Sequence, residues 1–233
     1  MVAIFVALMF IVLILVDLVV QRVEARRGEA ALRLGGAGVA ARTAAWRSGR
    51  GERWALPEGV YLAGGHSWLR PQAHGELALG ADALVGYALG RVGSVILPRV
   101  GAWLKKGDPL FHLALEGGVL TVSAPVSGEV VAVNDRLKER PGLVAEEPYG
   151  NGWVCALAPA CLEKESRGML VGSQAAAWLD REFHRYREFL SAQAAHDLAL
   201  GATSQDGGLP APGCLAHFDP GVWSAFQQQF LRA

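Results

Sequence analysis

The most specific indication of the fold is the run Ser123-Ala124-Pro125-Val126-Ser127-Gly128-Glu129-Val130-Val131-Ala132-Val133-Asn134. Its Pro, Ser and Gly residues are typical of a turn, and the apolar run after Gly128 is typical of a strand. Similar short runs of Val, Leu, Ile and Ala, separated by Gly, Pro and Asn, occupy residues 77–80, 93–98, 110–115 and 119–124. This texture extends over about residues 56–158 and predicts an all-β sandwich or barrel.

With Pro141-Gly142-Leu143-Val144 and Glu147-Pro148-Tyr149-Gly150-Asn151-Gly152-Trp153, this stretch resembles the glycine cleavage H-protein, a small carrier that swings a lipoyl-lysine arm between enzymes. Three further stretches are similar to elements of that family: His66-Ser67-Trp68-Leu69, Leu97-Pro98-Arg99-Val100-Gly101 and Lys105-Lys106-Gly107-Asp108. The resemblance covers roughly residues 56–190. It implies a mainly β, flattened barrel or sandwich of the lipoyl hammerhead type with flanking helices, including a short helix at 81–90.

The family's lipoyl-lysine position falls on Gly117 in this chain. The flanking elements, Gly107-Asp108 and Ala124-Pro125, keep the family separation without a gap, and the segment between them reads Ala114-Leu115-Glu116-Gly117-Gly118-Val119. The Gly117-Gly118 pair suits a two-residue hairpin turn, because glycine adopts positive φ without steric cost. The resemblance therefore implies a retained fold without the lipoyl arm, and we expect no cofactor.

The N-terminal residues predict a membrane span. Val2–Val20 are apolar except for Asp17, and at about 1.5 Å per residue they extend about 28 Å, the thickness of the hydrocarbon layer. We expect a transmembrane helix over 1–21 rather than a cleaved signal peptide, which needs a positive n-region and a shorter apolar core. Asp17 would lie near the headgroups or contact a partner helix.

Basic residues follow this span. Arginines are frequent in a juxtamembrane helix or linker predicted over 22–55, whereas the N-terminal side has no basic side chain. The positive-inside rule then predicts a single-pass protein of a bacterial-type inner membrane, with the N-terminus outside and the main domain in the cytoplasm. The lipid bilayer is accordingly one expected partner. The balanced formal charge of +0 gives no general attraction to nucleic acid.

The C-terminal third of the chain predicts two helices. Ser173 precedes apolar residues at helical spacing, so the domain assigned to 56–200 would end in a helix, as the family's does. A tether rich in Gly, Ser and Pro then begins the terminal segment, 201–233. Asp219-Pro220 begins a short amphipathic helix that presents three aromatic residues: Trp223, Phe226 and Phe230. This helix would either fold back on its own domain or anchor a protein partner.

No pattern in the sequence predicts catalysis or metal binding. The histidines show no ligand spacing, and Cys155, Cys161 and Cys214 form no CxxC pair. We expect Cys155 to be a core residue, and His66 and His112 to be packed or hydrogen-bonded. The pattern Gly36-x-Gly38-x-x-Ala41 follows a basic segment rather than a strand, so we do not interpret it as a dinucleotide site.

The functional prediction is a non-catalytic, membrane-anchored subunit that serves as a docking or structural component of a larger membrane complex, such as a respiratory or redox assembly. Its protein contacts would include Trp223, Phe226 and Phe230. One alternative is a lipoyl carrier modified at another lysine, for which the chain offers Lys105, Lys106, Lys138 and Lys164. The other alternative is a membrane-fusion-type export adaptor, which would require the opposite orientation and a long coiled-coil hairpin.

Overall fold

Two antiparallel sheets form the framework of the protein in the computed structural model, which describes residues 56–115, 117–194 and 210–232. The larger sheet has seven strands in the order β10-β1-β2-β3-β9-β8-β5. Its strands are β1 (Tyr61–Leu62), β2 (Ser67–Pro71), β3 (Leu77–Ala81), β5 (Trp103–Leu104), β8 (Gly128–Val133), β9 (Cys155–Pro159) and β10 (Leu170–Val171). Strand β3 is buried along its whole length, so it lies in the centre of the core.

The smaller sheet has three strands in the order β4-β6-β7, namely β4 (Ser94–Ile96), β6 (Pro109–Leu115) and β7 (Gly118–Ser123). Leu113 and Leu120 are paired across β6 and β7, and both are fully buried. Their neighbours His112, Val119 and Thr121 are more exposed, as expected for strands with one face on the core. Because β7 lies at the edge of this sheet, one row of its backbone groups is not paired with a strand.

Six helices flank the sheets within the described residues: α1 (Ala83–Leu89), α2 (Arg136–Glu139), α3 (Leu143–Glu146), α4 (Leu162–Glu165), α5 (Gly172–Ala194) and α6 (Pro220–Phe230). Helix α1 begins after Asp82, whose side chain accepts hydrogen bonds from Leu84 N and Val85 N. It ends at Gly90, where φ is +67°. This glycine cap closes the short helix that the family resemblance implies at 81–90.

The turn that follows β8 is held by a buried amide. Asn134, the last residue of the run 123–134, is 2% exposed. Its Nδ2 donates to the carbonyl oxygens of Asn151 at 2.8 Å and Trp153 at 2.7 Å. Because both donors of this amide are used inside the protein, Asn134 joins the end of β8 to the loop before β9.

The prediction of a mainly β, sandwich-like domain with flanking helices is confirmed. Cys155 is a core residue of β9, as predicted, and burial raises the pKa of its thiol to about 12. Helix α5 begins at Gly172 rather than after Ser173, which lies inside the helix. The terminal helix begins after Asp219 with Pro220 at its start, as the sequence indicated.

The predicted location of the protein is corrected. In the parts of the chain that the structure describes, no helix combines the length and the apolar character needed to cross a bilayer. The transmembrane helix predicted for 1–21 and the basic linker predicted for 22–55 lie outside the described residues, as does the tether at 201–209. The predicted location, a bacterial-type inner membrane with the main domain in the cytoplasm, is therefore not retained.

Candidate functional site

The hairpin between β6 and β7 presents position 117 at its tip. Leu115 and Gly118 are paired across the two strands, so position 117 lies in the connection between them. The sequence predicted a turn made of Gly117 and Gly118, and the structure corrects this by one residue, because Gly118 is already the first residue of β7. Neither glycine has a positive φ, so the prediction that the pair serves a turn with positive φ is also wrong.

The indole ring of Trp223 from helix α6 covers this tip. A Cβ atom added to Gly117 would lie 3.0–3.1 Å from three atoms of the indole, Cζ2, Cε2 and Nε1. A Cβ added to Gly118 would lie 3.1 Å from Cδ2 and from Cε3 of the same ring. Real Cβ contacts are seldom this close, so the two glycines are the surface on which the indole lies.

One turn further along α6, the Gln227 side chain pairs with the free edge of β7. Thr121 N donates to Gln227 Oε1 at 2.7 Å, and Gln227 Nε2 donates to the carbonyl oxygen of Thr121 at 2.8 Å. A side-chain amide thus satisfies the donor and the acceptor that a neighbouring strand would otherwise satisfy. The pair fixes the position of α6 along the hairpin.

Phe230 is fully buried at the other end of the helix. Its ring stacks on Phe226 with centroids 4.9 Å apart and lies 6.0 Å from the ring of His66. Arg185 of helix α5 places its guanidinium carbon 4.2 Å from the Phe230 ring centroid and donates to the carbonyl oxygen of Gln229 at 2.8 Å. Helix α6 is therefore held by α5 as well as by the hairpin.

A buried charge cluster lies beside Phe230. His66 is fully buried, and its Nδ1 lies 2.7 Å from Asp82 Oδ2, while its Nε2 lies 3.3 Å from Glu182 Oε2. Glu182 also pairs with Arg185 at 3.0 Å. Burial by itself lowers the pKa of His66, but the charges and hydrogen bonds of Asp82 and Glu182 outweigh it and raise the pKa to about 9. His66 is therefore a cation at neutral pH.

The local structure explains why His66 and Asp82 meet. His66 has a φ of +57° in the turn before β2, and its carbonyl oxygen accepts from Asp82 N at 2.9 Å. Asp82 uses Oδ1 to cap helix α1 and Oδ2 to bind the imidazole. The sequence predicted that His66 is packed or hydrogen-bonded, and this is confirmed, but its two carboxylate partners were not foreseen.

His112 also behaves as predicted. It is half-buried on β6, and its Nδ1 lies 2.9 Å from the hydroxyl oxygen of Thr121. Among the described residues, no group of three His, Cys, Asp or Glu side chains is placed to hold a metal ion.

The three aromatic residues predicted as anchors for a partner are instead in the protein's own core. Trp223 is 3% exposed, and Phe226 and Phe230 are fully buried. Of the two outcomes left open by the sequence, the terminal helix has folded back on its domain. The sequence signal for this contact is the spacing of three residues and then four between the aromatics, which places them on one helical face.

The four lysines all lie outside residues 109–123, which form the hairpin. Lys106 Nζ donates to the carbonyl oxygen of Glu165, and Lys138 Nζ pairs with Asp135. Lys105 begins the turn that leads from β5 to β6, where its backbone N donates to Asp108. No lysine therefore takes the position that Gly117 occupies at the tip.

These features define a class, a mainly β, sandwich-like domain with flanking helices and a hairpin at its edge. The family described as Glycine cleavage H-protein matches residues 60–182. The chain is 38% identical over 117 residues to the glycine cleavage system H protein of Escherichia coli O127:H6, covering 50% of this chain and 90% of that relative. It is 34% identical over 125 residues to the probable glycine cleavage system H protein of Thermococcus gammatolerans, covering 54% and 92%.

Among solved structures, the chain is similar to that of a glycine cleavage system H protein from Mycobacterium marinum, with 26% identity and a TM-score of 0.47. That alignment covers 54% of this chain and 99% of the other. On the family match and the identity to its relatives, the chain belongs to the glycine cleavage H-protein family. Membership of a family of carrier proteins is consistent with the prediction that the chain is not itself an enzyme.

Proposed function

We propose that this chain is a non-lipoylated member of the H-protein family that acts as a docking or structural subunit of a larger protein complex. The observation on which this rests is Gly117, which stands at the tip of the hairpin where the family resemblance expects the lipoyl-lysine. Glycine has no amine to which a lipoyl group can be attached. The indole of Trp223 over the same tip supports the proposal, because it occupies the space beside this residue.

Two exposed apolar residues support a contact with other proteins. Ile96 and Val119 are 54% and 55% exposed, and both lie on the outer face of the three-stranded sheet. The register places Val119 beside Ala114 and Ile96 beside His112. Burial of these two side chains against a partner would remove apolar surface from water. We propose this outer face, rather than the buried aromatics of α6, as the site of partner contact.

The mass of the intact protein tests the first half of the proposal. The chain and a lipoylated H-protein, such as that of Escherichia coli, should be produced in the same lipoate-replete cells. We expect the control to have the mass of the lipoyl form and this chain to have its unmodified mass. A lipoyl adduct on Lys105, Lys106, Lys138 or Lys164 would support the alternative, a carrier that uses another lysine.

Co-purification tests the second half. The tagged full chain should be recovered from its native cells with partner proteins at constant ratio, and Val119→Glu should reduce that recovery by at least tenfold. Val171→Glu is the matched control, because Val171 is 43% exposed on β10, at the edge of the other sheet. If both variants keep their partners, or if no protein accompanies the wild type at constant ratio, the docking role is wrong.

A further inference from the structure

We propose that helix α6 takes the place of the modified side chain, closing the hairpin to carrier chemistry, and that Gly117 is the residue this closed arrangement requires. The inference rests on the proposed function and extends it. In this interpretation the glycine is not only a lost attachment point. It also makes a steric contact with the indole of Trp223 in helix α6.

The direction of the Cβ bond is the first step. Every residue other than glycine leaves the backbone through a Cβ atom, and at position 117 that atom would lie 3.0–3.1 Å from Cζ2, Cε2 and Nε1 of Trp223. The side chain of a lysine at this position would therefore begin against the face of the indole. Contacts this short force a neighbour to move by a few tenths of an ångström, and a longer side chain requires more.

The indole has little freedom to move away. Trp223 is only 3% exposed, and the helix that bears it is fixed on both sides of this residue. Asp219 caps the start of α6 by accepting from Gly221 N and Val222 N. Gln227 is bonded twice to Thr121, four residues after the tryptophan. Displacing the indole ring would therefore require helix α6 to shift on the domain. For this reason the contact between Trp223 and Gly117 is hard to relax.

The segment before α6 is also attached to the domain. Gly213 N donates to the carbonyl oxygen of Tyr87 at 2.8 Å, and the Tyr87 hydroxyl donates to the carbonyl oxygen of Pro210. Gly213 has a φ of +82° and lies against Gly90, the residue that ends helix α1. Residues 210–213 are therefore packed on helix α1, α6 lies over the hairpin, and an enzyme that approached the tip would meet helix α6.

A double-mutant cycle tests the contact directly in the full chain. Because Gly117 has no positive φ and its nearest neighbours are all atoms of Trp223, Gly117→Ala adds one methyl group whose main cost is this contact. We expect it to lower the melting temperature by on the order of 5 °C in the wild type. In the Trp223→Ala background we expect a further change of less than about 1 °C.

Two controls accompany the cycle. Gly64→Ala places a methyl group where no atom lies within 4 Å and φ is not positive, so it should leave the melting temperature unchanged in both backgrounds. Trp103→Ala removes a tryptophan that is 59% exposed, and it should not relieve the cost of Gly117→Ala. Equal costs of Gly117→Ala with and without Trp223 would overturn the inference.

Chemical access to position 117 provides an independent measurement. In Gly117→Cys the new thiol would lie beneath the indole, and we expect its alkylation, followed on the peptide that contains it, to be about tenfold slower than in Gly117→Cys/Trp223→Ala. A thiol introduced at the exposed Gly64 should react equally fast with and without Trp223. If the thiol at 117 reacts as fast as the thiol at 64 while Trp223 is present, the hairpin is open and the inference is wrong.

The outcome is separable from that of the proposed function. A lipoyl group found on one of the four lysines would contradict the proposed function and leave the cycle between Gly117 and Trp223 intact. If the effects of Gly117→Ala and Trp223→Ala are additive and the intact mass is unmodified, the present inference is wrong and the proposed function stands. The chain would then lack the lipoyl group although α6 does not close the hairpin.

Discussion

The two ends of helix α6 meet the domain in chemically opposite ways. At the first end, the Trp223 ring lies on Gly117 and Gly118, a surface with no side chains and no charge. At the second end, the Phe230 ring lies 6.0 Å from the ring of His66, which is held between Asp82 and Glu182. The contact between Trp223 and the two glycines depends on shape, since neither glycine has a side chain or a charge. The second end is stabilised by apolar burial beside a cluster whose charge depends on pH.

The packing of helix α6 on the domain therefore depends on two different physical effects. A contact that depends on shape responds to the volume of the residues involved and is indifferent to pH and salt. A contact beside a buried imidazolium responds to the protonation of that group, because removing the proton leaves two carboxylates facing a neutral ring. Substitutions at the two ends should therefore differ in their dependence on side-chain volume and on pH.

Removal of the Phe230 ring should have the largest effect. Phe230 is fully buried and contacts Phe226, Phe189, Tyr186 and the Arg185 guanidinium. We expect Phe230→Ala to lower the free energy of unfolding by about 3–5 kcal/mol, because it leaves a large cavity beside the charge cluster. Denaturant unfolding of the full chain measures it. Phe218→Ala, at a half-buried position before the helix, should cost clearly less.

The charge cluster should make stability depend on pH in the alkaline range. The pKa of His66 is raised from 6.5 to about 9 in the folded protein, so the folded state binds the proton more tightly than the unfolded chain. The stabilisation is therefore complete below pH 6.5 and is lost as the pH rises through 9. The shift corresponds to about 3 kcal/mol.

The control for this profile is His66→Asn, because asparagine tolerates the positive φ of this turn and does not titrate. The difference in unfolding free energy between wild type and variant should fall between pH 6.5 and 9. A difference that stays constant across that range would show that the proton of His66 contributes nothing to stability.

The amide pair at the edge of β7 should have an intermediate effect. Gln227→Ala removes two hydrogen bonds to the backbone of Thr121. The half-buried N–H and carbonyl oxygen of Thr121 then lack this partner. We expect a loss of about 1–2 kcal/mol in the free energy of unfolding. Gln228→Ala, at the adjacent and exposed position of the same helix, should change stability by less than about 0.5 kcal/mol. Equal effects of the two substitutions would contradict the role given to the Gln227 amide.

Arg185 should make the smallest contribution. Its side chain is 47% exposed, so solvent screens its pairing with Glu182, and its contact with Phe230 is partly open. We expect Arg185→Ala to cost about 1 kcal/mol. Arg185→Lys should recover only part of this loss, because a lysine cannot reproduce the planar contact with the ring. Thermal unfolding at low and high salt separates the ionic part from the packing part.

Much of the domain could be predicted from its sequence because the relevant signals are local. Turn residues and apolar runs marked the strands, and Asp219-Pro220 marked the start of α6. Each depends on the conformational preference of a few neighbouring residues. The family motifs added the position of the lysine, which falls on Gly117.

Other features could not be found in this way, because they join residues that are distant in sequence. The sequence suggested that glycine at 117 and 118 serves a turn with positive φ, yet neither residue has one. Their small size instead leaves room for the indole of Trp223, which is more than one hundred positions away in sequence. Likewise, the apolar face of α6 predicted burial but could not distinguish a partner from the chain's own domain.

Three features of this chain can be predicted from its sequence: the mainly β architecture of its family, glycine at the tip of the hairpin, and a capped terminal helix with one aromatic face. These follow from residue type, spacing and local backbone preference. Three others arise only on folding: Trp223 covers the hairpin, Gln227 completes the edge of β7, and His66 is a buried cation between Asp82 and Glu182. The physical reason is that burial, steric contact and pKa depend on what the folded chain brings together.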